Sequence, residues 1–360
     1  MPVGIGKTTS VIDPSTAEPS RANNRWQAGD STISVNLVRS GGGDDEESCG
    51  TSRCIAARSS SSTVVHSITE RDSFAMSGTV GANPRRRRYG EAMGILRWDA
   101  RPTPAVTGST RTVLVAAFGG WNDGGEAASS AMGVLWEQWS AKRIAHIPAG
   151  DFVDFTMTRP TMEVINGVPG EISWPDSELG WSSPTPSLSI VLLRAPEPEF
   201  RWGSYCEEVI RAAEELGAST LITLGAILSD VPHTRPAPVF CTAHEDHILD
   251  AVALPRSNYD GPVGVPSVLA QQAHARGLDS LGLWAAVPAY ASNMPSTKGM
   301  RALLDALERI LSVDIDTTEC ATAADNYTSY LDEVVAEDPD TADYVNQLEQ
   351  AYDRADEMVL

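Results

Sequence analysis

Four short apolar runs, three of them leading through a loop that carries glycine or proline into residues at helical spacing, restrict this chain to an alternating strand and helix fold. Residues 112–118 (TVLVAAF) close at Gly119-Gly120 and read as a strand buried on both faces, because an unbroken apolar run has no side to give to water. Residues 125–139 follow, with Ala128, Met132, Leu135, Trp136 and Trp139 at helical spacing. Residues 188–193 (LSIVLL) predict a second buried strand, and residues 205–216 an amphipathic helix with Val209, Ile210, Ala213 and Leu216 on one stripe. A third strand is expected at 220–224, stopped by Gly225, then a fourth at 280–287 (SLGLWAAV) and a helix over 296–311. This order is that of a mainly parallel sheet covered by helices on both faces. Between 151 and 181, Pro160, Gly167, Pro169-Gly170 and Pro175 interrupt short mixed runs, so hairpins or an excursion at the sheet edge are expected there.

Both ends of the chain differ from this body. Residues 1–92 are rich in Ser, Gly, Thr, Asn and Arg, with a Gly41-Gly42-Gly43 run and Arg85 to Arg88. Such composition buries too little apolar surface to offset the entropy of ordering, and predicts a disordered leader. Its 11 basic and 10 acidic residues leave 16 against 38 from Met93 onward, so the net charge of −21 belongs to the body. That excess repels phosphate backbones and anionic lipid, which sets nucleic acid and membrane surfaces aside as partners. No stretch reaches the roughly 18–20 apolar residues of a bilayer span and the first thirty residues lack the apolar core of a secretory signal, so the expected compartment is cytoplasmic. The scattered Cys49, Cys54, Cys206, Cys241 and Cys320 offer neither a disulfide framework nor a zinc site, and no metal or cofactor is expected. Residues 314–360 hold 14 acidic side chains against Arg354 alone. Two helical patterns, 322–336 and 341–358, break at Asp338-Pro339-Asp340, and the second carries a stripe of Tyr344, Val345, Leu348, Ala351 and Tyr352. An acidic helical hairpin over 313–360 is expected, docked on the domain or on a neighbouring subunit, with a solvated tail as the alternative.

In parallel-sheet folds ligands meet the protein beyond the carboxyl ends of the strands. After the first strand come Gly119, Gly120, Trp121, Asn122 and Asp123. Asn122 or Asp123 is suited to cap the following helix, and Asp123 and Glu126 oppose an anion there, so capping is the favoured reading. After the second strand, Glu197, Glu199, Arg194 and Arg201 lie close in sequence beside Trp202. They suit acid/base chemistry, ion pairs anchoring the loop, or a subunit contact stiffened by Pro196 and Pro198. The third loop carries Asp230, His233, Thr234 and Arg235, and His233 is the best placed proton shuttle, although no Gly-x-Ser-x-Gly elbow accompanies it. Three further signals fail on context. Gly4-Ile5-Gly6-Lys7-Thr8-Thr9 lacks the first glycine of a phosphate loop, Arg85 to Arg88 reads as solvated, and His244-Glu245-Asp246-His247 lacks a third ligand and reads as a solvated helix start.

These loops carry a resemblance. FGGWNDGGEAAS from Phe118, APEPEFRW from Ala195, LGAILSDVPHTRP from Leu224, YDGPVGV from Tyr259 and SLGLWAAVPAYASNMPSTKG from Ser280 together resemble the proteasome assembly chaperone 2 family in its actinobacterial form, across residues 111–311. The resemblance implies a three-layer α/β/α domain over 93–312, similar in architecture to nucleoside phosphorylases, and a homo-oligomer, often a trimer. Eukaryotic and archaeal relatives help assemble or engage the proteasome α-ring, so proteasome subunits are the implied partners. Some relatives dock through a terminal hydrophobic residue, tyrosine and final residue. This chain ends Met358-Val359-Leu360, so docking by that tail is not expected. Gly119 stands where an acidic residue is common and Ala289 where histidine often occurs, so no chemistry is implied at those positions.

The leading expectation is a self-associating, non-catalytic chaperone-like or scaffold protein whose interfaces are built from its loops, Tyr290 in the fourth among them, and from the acidic helical hairpin. The alternative is a small-molecule enzyme, a nucleosidase-like hydrolase or an ATP-dependent carboxylate-amine ligase, with Asp123, Glu197 and His233 gathered around one pocket at the strand ends. Met93, directly before Gly94-Ile95-Leu96-Arg97-Trp98, is the expected true start, with 1–92 an over-extended reading frame. Mass spectrometry of the native N-terminus checks this, and an intact peptide spanning residues 59–62 contradicts it.

Overall fold

The computed structural model describes residues 95–102 and 111–357. The expectations placed on the leader, on Met93 and on Met358 to Leu360 concern residues outside these. In chain order the elements are β1 (Arg97–Trp98), β2 (Arg111–Gly119), α1 (Ala127–Gln138), β3 (Lys142–Ile147), β4 (Thr161–Ile165), β5 (Val168–Ser173), β6 (Ser177–Thr185), β7 (Leu188–Pro196), α2 (Trp202–Glu215) and β8 (Ala218–Ser229). They continue with β9 (Val239–Ala243), α3 (Asp246–Val252), α4 (Val265–Ala275), β10 (Asp279–Pro288), α5 (Thr297–Leu311), α6 (Thr318–Ala336) and α7 (Pro339–Glu357).

Eight strands form one sheet in the order β1-β3-β6-β7-β2-β8-β10-β9, while β4 and β5 pair with each other. The four strands expected from the apolar runs lie side by side and parallel, β7 with β2, β2 with β8 and β8 with β10. Their carboxyl ends therefore share one rim. The flanks are antiparallel, with β6, β3 and β1 on one side and β9 on the other. Within 151–181 the interrupted runs become the β4–β5 hairpin, and β6 then enters the sheet.

Every residue from Thr112 to Phe118 is buried because the two faces of β2 meet different layers. Val113, Val115 and Ala117 pack with Met132 and Leu135 of α1 and Leu303 and Leu307 of α5. Leu114, Ala116 and Phe118 pack with Tyr205, Val209 and Ile210 of α2 and Leu269 of α4. Burial of a large apolar side chain stabilises by about 1.5–3 kcal/mol, and a one-residue slip would exchange the two sets, so this alternation also pins the register. Because the helix after β2 lies on one face and the helix after β7 on the other, the adjacent ends of β2 and β7 form the crevice where such sheets bind ligands.

Gly225 corrects an expectation. The third strand does not stop there but runs on to Ser229. A Cβ at Gly225 would lie 2.4 Å from Cζ3 of Trp284, its neighbour across the β8–β10 ladder, so glycine clears room for an indole rather than turning the chain. The C-terminal helices break where expected, with Pro339 at the start of α7, where the missing amide proton costs nothing. Cys320 of α6 joins the core around α5, and Tyr327 and Leu331 pack against Ala291. His244 sits ahead of α3 with its ring stacked on His274, centroids 4.6 Å apart, and Nδ1 3.0 Å from the Ser280 hydroxyl. Among the described residues no helix is long and apolar enough to cross a membrane.

Gly225→Ala is expected to lower stability in urea unfolding by about 1–3 kcal/mol through overpacking. Combining it with Trp284→Leu should recover part of that loss; an undiminished loss in the double variant would contradict the assignment.

Candidate functional site

The rim is cross-bonded from one loop to the next. The buried Asp123 carboxylate accepts from the backbone amides of Ala128 at 2.7 Å and Ser129 at 3.2 Å, capping the first turn of α1 as its sequence position suggests. Burial raises its pKa above the ordinary carboxylate value, opposed by the hydrogen bonds from Ser129 and Ala128. The Ala226 amide donates to the carbonyl of Asn122 at 2.8 Å, which ties this loop to β8. Glu197 ties it to two further segments. Its amide donates to the Gly119 carbonyl at 2.8 Å, and its Oε1 accepts from Asn122 Nδ2 at 2.7 Å and from the Val265 amide at 2.9 Å. Val265 opens α4, so the carboxylate lies on the positive end of that helix. The close approach requires Gly264, where a Cβ would come within 2.3 Å of Asn122 Oδ1.

The other charges of the second loop go separate ways, although they are neighbours in sequence. Glu199 accepts from the Asp154 amide at 3.1 Å and the Thr158 hydroxyl at 3.0 Å. Arg201, at φ +57°, pairs with Asp151 at 3.4 Å. Trp202 donates from Nε1 to the Pro198 carbonyl. Arg194 lies over the Trp136 ring, 4.1 Å from its centroid, and pairs with Glu178. A groove of about 320 Å³ opens there, in the β2–β7 crevice, lined by Gly119, Met132, Asp176, Glu178, Arg194 and Pro196 among others. Asp123, Glu197 and His233 are not among its lining residues.

His233 is 2% exposed. Its amide donates to the Tyr290 hydroxyl at 2.7 Å, and its Nδ1 lies 2.7 Å from the same oxygen. Nε2 lies 3.1 Å from Asp332 Oδ1; an ionised carboxylate only accepts, which favours the tautomer with its proton on Nε2 and the Tyr290 hydroxyl donating to Nδ1. Burial lowers the His233 pKa below its ordinary value, opposed by Asp332, and burial pushes Tyr290 up to about 12. Lys298 donates to the His233 carbonyl. The cavity between His233, Lys298 and Tyr327 measures about 10 Å³, room for one water.

The rest of this loop is engaged by α7. Asp230 accepts from Tyr344 at 2.8 Å, Thr234 donates to Glu349, and Arg235 meets Asp353 through two hydrogen bonds of 2.8 Å. Asp353 holds the Arg235 guanidinium above its ordinary pKa. The structure thus joins Asn122 to Glu197, and His233 to Tyr290, while Asp123, Glu197 and His233 each serve a different internal partner. Sequence reasoning missed Lys298, Asp332, Glu349 and Asp353. The single pointer to them was an acidic segment with one cation of its own, which must find its counter-charges elsewhere.

The PAC2 family model matches residues 117–335. A PAC2 family protein from Streptomyces avermitilis is similar at 36% identity and a TM-score of 0.61, covering 65% of this chain and 99% of that one. A proteasome-assembly chaperone homologue from Mycobacterium tuberculosis is similar at 34% identity and a TM-score of 0.60, with the same coverage. An archaeal proteasome activator from Pyrococcus furiosus shares the fold at 15% identity and a TM-score of 0.53, covering 66% of this chain and 97% of that one. None of the curated proteins matches.

A histidine that takes its proton less readily folded than unfolded contributes its full stability above the unfolded pKa and loses it as the pH falls from there through the lower folded pKa. Stability in urea is expected to fall between about pH 7 and pH 5.5, around the ordinary histidine pKa of about 6.5, and to fall less in His233→Gln. Identical slopes in the two proteins would contradict this burial-driven shift.

Proposed function

Because the chain belongs to the PAC2 family, we propose that it is a chaperone-like or scaffold protein that binds protein partners through its carboxyl rim. Self-association, with a trimer favoured, proteasome subunits as partners and a cytoplasmic location complete the proposal. The likeness to a proteasome-assembly chaperone homologue supports the partner class. The observation that carries the reading is the division of labour on the rim. Its charged side chains are engaged by internal partners, whereas Trp121, Phe200, Tyr259 and Val263 stand 41–52% exposed on the same segments. Large aromatic and apolar side chains inside a polar surround are what the centre of a protein interface requires.

A hydrolase or ligase built on Asp123, Glu197 and His233 draws no support from this geometry. A reacting centre needs its acid, base and substrate atoms within hydrogen-bond reach of one another. Here the three groups hold a helix cap, a loop junction and a histidine–tyrosine pair, and the cavity beside His233 measures about 10 Å³.

Affinity capture of the full chain from a proteasome-bearing host, followed by mass spectrometry, is expected to recover proteasome subunits. Trp121→Ser with Phe200→Ser should cut that recovery by about tenfold, the effect of losing interface anchors. Light scattering of the purified chain should give an integral multiple of the chain mass. Repeated captures without proteasome subunits would contradict the partner class, and undiminished recovery with the double variant would contradict the rim as the surface.

A further inference from the structure

Helices α6 and α7 are held in different ways. Among described residues α6 buries Cys320, Ala324, Tyr327, Leu331 and Val335, whereas α7, of the same 19-residue length, buries Val345 and Leu348. Beside these and the edge-on contact of Tyr344 with Tyr290, the polar contacts of α7 fall on one short loop. Tyr344 bonds Asp230, Glu349 accepts from Thr234 and lies 3.3 Å from Arg235, Asp353 takes the guanidinium fork of Arg235, and Tyr352 donates to the Pro236 carbonyl at 3.2 Å. The charged part of this hold is open to solvent. Arg235 is 32% exposed and Asp353 52% exposed, which is the condition under which ion pairs are weak and screened by salt. Two residues, Glu337 and Asp338, connect α7 to α6.

The loop between Asp230 and Pro236 thus has a well defined complement. Arg235 offers a planar fork that two carboxylates one helical turn apart satisfy together, since Glu349 and Asp353 are four residues apart on α7. Thr234, Asp230 and the Pro236 carbonyl add one donor and two acceptors for hydroxyl groups. This surface reads an acidic, tyrosine-bearing helix. An excess of negative charge over the body disfavours acidic partners elsewhere, so recognition of one would depend on this cation.

We propose that α7 is a releasable strap: the loop 230–236 is a docking surface for an acidic amphipathic helix, which α7 fills in cis and an acidic helix of a partner protein fills when α7 lets go. The strap would uncover Tyr290 as well, whose ring meets that of Tyr344 edge-on at 6.1 Å. This inference rests on the protein-binding reading above and adds to it the chemistry of one partner and a means of regulation.

The test uses a labelled synthetic peptide of residues 339–357 titrated into the full chain, so its outcome does not depend on finding a natural partner. The peptide is expected to bind Glu349→Gln/Asp353→Asn at least about tenfold more tightly than the unaltered chain, because the variant's own strap competes less; tenfold is the scale of one or two partly exposed charge pairs. Adding Arg235→Ala should abolish the gain, and Arg235→Lys should keep only part of it, since lysine carries the charge without the fork. Equal affinity for the variant and the unaltered chain, or a gain that survives Arg235→Ala, would overturn the strap. Hydrogen exchange on the unaltered chain gives a second measurement that needs no variant. Raising salt from about 0.1 M to about 1 M shortens the screening length from about 10 Å to about 3 Å, and should speed exchange in α7 while leaving α6 unchanged. Equal, salt-independent protection of the two helices would overturn the proposal, whereas captures lacking proteasome subunits would leave it standing.

Discussion

One carboxylate joins three parts of the rim. Glu197 reaches from the loop after β7 to the side chain of Asn122 after β2 and to the first amide of α4, while its own amide returns to Gly119. This half-buried carboxylate gives up part of its hydration, and a helix N-terminus and a side-chain amide supply fixed donors in its place. Because these donors come from segments far apart in sequence, the junction orders the loops relative to one another as well as satisfying a charge. The surface that results is preorganised, which would lower the entropic cost of docking the partner proposed above.

Direction comes from the sheet and content from the loops. Four parallel strands buried on both faces deliver their carboxyl ends to the same edge, so each loop that follows them neighbours the next along the rim. The loops then divide their residues into two classes. Charged groups bond helix termini and residues of α6 and α7, whereas Trp121 and Phe200 are 43% and 50% exposed. A rim arranged in this way suits contact with another protein better than attack on a small molecule, which would need its charged groups uncommitted and convergent.

The parts of this arrangement that were legible in the sequence were local. TVLVAAF announced a two-faced strand because burial on both sides leaves no polar position, and Asp123 announced a cap because its partners, Ala128 and Ser129, lie five and six residues on. Gly225 was misread because its meaning depends on Trp284, 59 positions away and across a ladder. The same distance problem hid the Glu197 to Val265 bond and the seating of Asp332 on His233, which span 68 and 99 residues. The acidic hairpin itself was visible from its stripe, but its seat on Arg235 was not. A periodic pattern tells which face of a helix is covered and says nothing about which loop covers it.

The account stands on the rim being an interlocked part of the fold, and native-state hydrogen exchange measures that directly. The amides of Glu197, Val265 and His233, which donate to Gly119, Glu197 and Tyr290, should exchange as slowly as those in the centre of β2, through unfolding of the whole domain. Exchange at the pace of the exposed segment around Asp260 and Gly261 would show the loops opening independently and would contradict the account.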